Sequence, residues 1–120
     1  MKRHSKVHEL AKMIDHSLLH PTMTDDDMAK GCKIALDYDV ASVCIKPYAI
    51  PLAVSLLKDS DVLVGTVIGF PQGNSTIDVK VTETNQACMD GAVEIDMVVN
   101  IGKVLQEDWG YVKKEIKAVC

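Results

Sequence analysis

The sequence predicts an α/β protein in which parallel strands alternate with helices and curve toward a barrel. Four apolar, β-branched runs recur at a pitch of roughly 25 residues, each followed by an amphipathic stretch, as in βα units. The runs are nearly continuous in apolar character, as strands covered by helices are. The few polar letters inside them fall on one common face when sorted by strand parity.

Residues 5–13, SKVHELAKM, read as a short amphipathic helix ahead of the first strand, MIDHSLL. A second helix follows over TMTDDDMAKGCKIALDYD, with Thr24 as N-cap and Asp25 to Asp27 favouring its positive end. VASVCI (40–45) is the second strand, and PYAIPLAVSLLKD is a helix whose prolines sit in its opening turns, where a missing N–H costs little. VLVGTVIGF (62–70) is the third strand. The PQGN turn leads to Ser75 as cap, and STIDVKVTETNQACMDG forms a helix closed by Gly91. VEIDMVVN (93–100) is the fourth strand, and KVLQEDWGYVKKEIKAV is the last helix, weakened at Gly110. No linker or low-complexity segment interrupts the series, so residues 1–120 read as a single domain.

The composition is globular, with 48% hydrophobic residues in 120. A net charge of -4 with scattered basic residues points away from nucleic acid and from anionic membrane surfaces. No stretch has the apolar length of a signal-peptide core or a membrane span, which leads to the expectation of a cytoplasmic protein. Cys32, Cys44, Cys88 and Cys120 lie far apart, without C-x-x-C spacing, and are expected as reduced thiols. His4 and His8 stand four apart on the first helix, but no third ligand accompanies them, and a solvated terminus rather than a metal site is the expected reading.

Parity places Asp15 and Ser17 on one face of the first strand, Ser42, Cys44 and Lys46 on that of the second, Thr66 on that of the third, and Glu94, Asp96 and Asn100 on that of the fourth. A polar face shared by four strands fits a barrel lumen better than a doubly wound open sheet, its competitor. Each residue also has a bland reading. Asp15 could fix a loop, Cys44 could be a small buried hydrophobe, Lys46 could snorkel outward, and Thr66 could satisfy its hydroxyl on the backbone. GFPQGN lacks phosphate-loop spacing and reads as a plain strand-to-helix turn. Asp96 is the hardest to explain blandly, because a mid-strand carboxylate needs a buried ion pair or a chemical task.

IDHSLLHPTMT (14–24), ASVCIKPYAI (41–50), VGTVIGFPQGNST (64–76) and GAVEIDMVVNIG (91–102) together resemble the deoxyribose-phosphate aldolases, class I aldolases on a (β/α)8 TIM-type barrel. The four motifs stand in the family's order along essentially the whole chain. The resemblance implies cleavage of 2-deoxy-D-ribose 5-phosphate to glyceraldehyde 3-phosphate and acetaldehyde through a Schiff base, without metal or cofactor, within deoxyribonucleotide catabolism. Its substrates are thus a phosphorylated deoxy sugar and small aldehydes. It also implies that Asp96 relays protons beside a lysine, that Asp15 supports that network, and that Cys44 and Thr66 line the pocket.

Members of that family run well beyond 120 residues. Their Schiff-base lysine, the lysine beside it and the phosphate-holding loops belong to later strands that this chain does not contain. The resemblance therefore implies a (β/α)4 half-barrel of parallel strands with an extra N-terminal helix, truncated before its lysine and inactive alone. Lys46, the one lysine on the polar strand face, is not expected to replace that amine. Open edges at the first and fourth strands predict a homo-oligomer. The alternative is a non-catalytic half-barrel module that assembles with a separate C-terminal half.

Overall fold

The computed structural model describes residues 6–120. A short helix α1 (Lys6–Ala11) precedes the first strand β1 (Asp15–Leu18). Then come α2 (Asp25–Tyr38), β2 (Ser42–Ile45), a 3-10 turn (Pro47–Ala49) running into α3 (Ile50–Leu57), and β3 (Leu63–Ile68). The chain continues through α4 (Ile77–Met89), β4 (Glu94–Met97), α5 (Ile101–Leu105) and α6 (Trp109–Val119). The four strands form one parallel sheet in the order β1-β2-β3-β4. Sequential order with a helix after every strand is the arrangement of half a (β/α)8 barrel, so the expected half-barrel with an extra N-terminal helix is what the chain adopts.

Local signals explain most boundaries. The Thr24 hydroxyl accepts from the Asp27 N–H, and the Asp27 carboxylate accepts the Thr24 N–H in return, a complete capping box. Those bonds to Thr24 hold the Asp27 carboxyl below its usual range. In α2, Met28, Cys32 and Ala35 recur at helical spacing and are fully buried against the sheet. They join Val43, Ile45, Ile50, Ala53, Leu57 and Ile68 in one core on the helix-covered side of the strands. Full burial of a Leu, Ile or Met side chain contributes about 1.5–3 kcal/mol, so this side supplies most of the folding drive.

Two boundaries differ from the sequence expectation. Thr76, not Ser75, caps α4, its hydroxyl accepting from the Val79 N–H at 3.3 Å. The last helix is two helices, and the break lies at Glu107 and Asp108 rather than at Gly110. Glu107 takes a left-handed φ of 61°, and Asp108 caps α6 through the Tyr111 N–H. A carboxylate at a cap position competes with helix continuation, whereas Gly110 in the first turn of α6 disrupts nothing.

The loops after β3 and β4 are locked together at the C-terminal side of the sheet. Gly73 has φ 67°, and a Cβ there would run into the Val99 carbonyl, so only glycine permits this approach. The Val98 N–H donates to the Ile68 carbonyl at 2.9 Å, extending the β3–β4 pairing into the loops. The His4–His8 pair has one member outside the described residues; His8 Nδ1 lies 3.8 Å from Asp39 Oδ2. Among the described residues, no helix is long and apolar enough to cross a membrane.

Candidate active site

Strand register decides which polar side chains meet. Asp15 pairs with Ser42, Ser17 with Cys44, Cys44 with Gly65, Gly65 with Glu94, and Val67 with Asp96. Residues paired across parallel strands share a face, so Asp15, Ser42, Cys44, Glu94 and Asp96 line the inner side of the curved sheet. Gly65 leaves a gap among them. A Cβ there would stand 3.2 Å from Glu94 Cβ, and its absence keeps the surface open between Cys44 and β4.

The centre of this face is a compact cluster. One ligand-type atom from each of Asp15, Cys44 and Asp96 lies within 4.8 Å of the others. Ser42 Oγ donates to Asp15 Oδ1 at 2.8 Å, and the Cys44 thiol donates weakly to Asp96 Oδ2 at 3.9 Å. Cys44 is buried while both aspartates are exposed. None of the ion pairs among the described residues includes Asp15, Glu94 or Asp96.

The electrostatic consequence falls on the thiol. Burial first, then the charges of Asp15 and Asp96, the bond to Asp96 and the charge of Glu94 push Cys44 up to about 12. The thiol therefore stays protonated at neutral pH and is a poor nucleophile, as its bland sequence reading had it. What the cluster offers is negative potential from unpaired carboxylates. It suits an incoming ammonium group, a proton in transit or a cation held by two carboxylates and a thiol.

Two expected members stand elsewhere. Thr66 pairs with Ile45 and Ile95, which puts it on the helix-covered face, and Val67 takes the inward position beside Asp96. The Thr66 hydroxyl donates to the Ile45 carbonyl at 2.7 Å and is fully buried. Parity failed because β3 offers a single polar letter, and a hydroxyl satisfied by backbone is as stable under a helix as in a lumen. Lys46 lies one residue beyond β2, and its ammonium donates to the Met23 carbonyl at 2.7 Å, which ties it to the loop before α2.

Strand parity overlooked a second charged cluster. Lys80 of α4 and Glu115 of α6 form a fully buried ion pair, Nζ to Oε2 2.6 Å. Lys80 Nζ also donates to the Val98 carbonyl at 2.8 Å, and Glu115 Oε1 accepts the Asn100 N–H at 2.8 Å. A signal was present: Lys80 shares a helical stripe with Thr84 and Ala87, the other two buried residues of α4.

A half-ring of parallel strands with helices outside and carboxylates inside is half of a (β/α)-barrel. Comparison with known proteins narrows this class. The family model described as DeoC/LacD family aldolase matches residues 10–120, and the chain belongs to that family of lyases. A deoxyribose-phosphate aldolase of Clostridium perfringens is 53% identical over 111 residues, covering 92% of this chain and 50% of the relative. One from Caldanaerobacter subterraneus is 48% identical over 119 residues, covering 99% of this chain and 52% of the relative.

Among solved structures, an aldolase named QR15 superposes with a TM-score of 0.88 at 32% identity, over 92% of this chain and 49% of that one. The deoxyribose-phosphate aldolase of Aeropyrum pernix, described as a tetramer, gives 0.76 at 29% identity, over 94% and 50%. The chain thus spans about half the length of the relatives it matches.

Proposed function

We propose that this chain, a single domain over residues 1–120, supplies the β1–β4 half of a deoxyribose-phosphate aldolase. Its reaction is cleavage of 2-deoxy-D-ribose 5-phosphate to glyceraldehyde 3-phosphate and acetaldehyde. A lysine carried by the other half forms the Schiff base, which draws the electron pair of the breaking carbon–carbon bond. Asp96 is the proton-relay carboxylate, Asp15 supports it, and Cys44 contributes a neutral wall beside the small aldehyde. The cytoplasm is the expected setting.

The observation that carries this reading is the Asp15, Cys44 and Asp96 cluster on the inner face, acidic and without an ion pair among the described residues. Such a cluster stabilises a neighbouring lysine as an ammonium and receives protons from it. The same geometry supports inactivity of the 120 residues alone. Lys46 is bound to the Met23 carbonyl, and Lys80 is buried against Glu115, so neither amine is offered to a substrate at the inner face.

The test is complementation. The chain alone, treated with acetaldehyde and borohydride, is expected to acquire no stoichiometric adduct, at Lys46 or elsewhere. Adding a polypeptide that carries strands five to eight of a family member is expected to restore cleavage. In that mixture Asp96→Asn lowers kcat by about 10²–10⁴, the range of a lost general acid-base group. Binding of the two halves without cleavage would favour a non-catalytic assembly module, and full activity of the Asp96→Asn mixture would overturn the proposed role of Asp96.

A further inference from the structure

The buried Lys80–Glu115 pair grips the chain just beyond Asp96. Lys80 Nζ donates to the Val98 carbonyl at 2.8 Å, Glu115 Oε1 accepts the Asn100 N–H at 2.8 Å, and the two side chains meet at 2.6 Å. α4, the loop after β4 and α6 thereby join at one point, with both charged side chains fully buried. Every partner in this arrangement is a residue of the chain itself, so it depends on no surface left open at β1 or β4.

Stability alone is a poor reason for such a pair. Apolar side chains of similar volume often hold a core as well as a buried ion pair does, because each ion gives up its hydration. What they cannot do is hold backbone groups by directed bonds. α4 does this for two strands at once. Glu83 accepts the Gly69 N–H at 2.9 Å just past β3, and Lys80, one turn earlier, takes the Val98 carbonyl just past β4. Gly69 has φ 64°, and a Cβ there would stand 3.0 Å from Lys80 Cε, so the bare backbone lets the lysine stem pass close by.

The strand between these anchors has little slack. β4 is four residues long, and its near end is tied by the Val93 N–H donating to the Val64 carbonyl at 2.9 Å. Its far end is tied by the Val98 N–H on the Ile68 carbonyl and by the ion pair. Asp96 lies about 7 Å of extended chain from Val98, so a displaced Val98 peptide displaces its carboxylate. The contact at stake has no reserve: Asp96 Oδ2 is 3.9 Å from the Cys44 sulfur, a long reach for a weak thiol donor.

We infer that Lys80 and Glu115 are positioning residues for Asp96, holding its carboxylate at Cys44 through Val98 and Asn100. Neither side chain bonds Asp15, Cys44 or Asp96, and the pair's two charges cancel, so it acts through the backbone. The importance of that placement rests on the proposed proton relay. The placement itself is read without catalysis, so either can fail alone.

The probe is the Cys44 thiol, whose ionisation is set by burial first and then by its carboxylate neighbours, Asp96 among them. The 120-residue chain is labelled with iodoacetamide from about pH 7.5 to 10.5 and read by peptide mass spectrometry. Lys80→Met with Glu115→Leu removes the pair without stranding a charge. Its labelling curve is expected to move to lower pH, with Cys44 reacting at least about threefold faster at each pH below the midpoint. Cys32, buried on the covered side of the sheet, stays protected and reports that the core has not opened.

Lys80→Met with Glu115→Gln keeps an acceptor for the Asn100 N–H and is expected to fall between the pairless and unmodified chains. It decides alone if the Leu variant exposes Cys32. Adding Asp96→Asn to the pairless chain moves the curve by less than half of what Asp96→Asn does in the unmodified chain, because the carboxylate has already left the thiol. A curve that stays or moves to higher pH while Cys32 is protected, a Gln variant no closer to the unmodified chain than the Leu variant, or shifts that simply add, overturns the inference.

Discussion

Two charged clusters sit on opposite sides of the sheet, and they differ in whether their charge is matched. Lys80 and Glu115 are fully buried, and each also bonds a backbone group of the loop after β4. Asp15 and Asp96 are exposed, bonded among the described residues only to Ser42 and weakly to Cys44, and carry like charge. A buried pair with every bond satisfied is a structural device: it clamps Val98 and Asn100 and so fixes where β4 ends. An unmatched cluster on an open face does nothing for the fold. Its carboxylates have no ion-pair partner among the described residues, which makes them the chemically informative ones.

The sharpest way to break the contrast is to unpair the matched cluster. Lys80→Met leaves Glu115 as an uncompensated buried charge and is expected to lower stability by about 3–5 kcal/mol in urea unfolding. Adding Glu115→Leu restores much of the loss but not all, because the Val98 carbonyl and the Asn100 N–H still lack their side-chain partners. A smaller effect on the covered side comes from Thr66→Val, which removes the bond to the Ile45 carbonyl at nearly constant volume. It is expected to cost about 1–2 kcal/mol, measured the same way.

On the inner face the expected order reverses, with little change in stability and a clear change in titration. Asp96→Asn shifts unfolding free energy at neutral pH by no more than about 0.5 kcal/mol. Cys44 ionises near 9.0 when unperturbed and only toward about 12 in the fold. The unfolded chain thus releases this proton first, and stability falls as pH rises through that window, while below it both states hold the proton. Removing the Asp96 charge narrows the window from its upper end. Alkylation of Cys44 by iodoacetamide as a function of pH reads this directly: the Asp96→Asn thiol becomes reactive at lower pH.

Most of this architecture was legible in the sequence because its signals are local and redundant. Thr24 with Asp27, the proline-opened third helix and the four apolar runs each specify an element without reference to the rest. The inner cluster was legible where strands carried two or more polar letters, as in Asp15 with Ser17 and Glu94 with Asp96. It failed at Thr66, a lone polar letter whose face is decided by register with Ile45 and Ile95, a relation between distant segments. Lys80 and Glu115 were missed for the same reason. Each looks like an ordinary helix-surface charge until α4 and α6 are brought together across 35 positions of sequence.

The strand order carries one more consequence, in the language of amide hydrogen exchange. β2 is buried along its whole length, and β2 and β3 are both paired on both sides, whereas β1 and β4 each have one unpaired side. Protection should therefore decline from the middle of the sheet outward, with the amides of Val43 to Ile45 and Gly65 to Val67 slowest to exchange. Capping either end of the ring, whether by a second copy or by further strands, would flatten that gradient from the edge inward. The exchange profile of β1 and β4 is thus a residue-level gauge of whether the ring is open or closed.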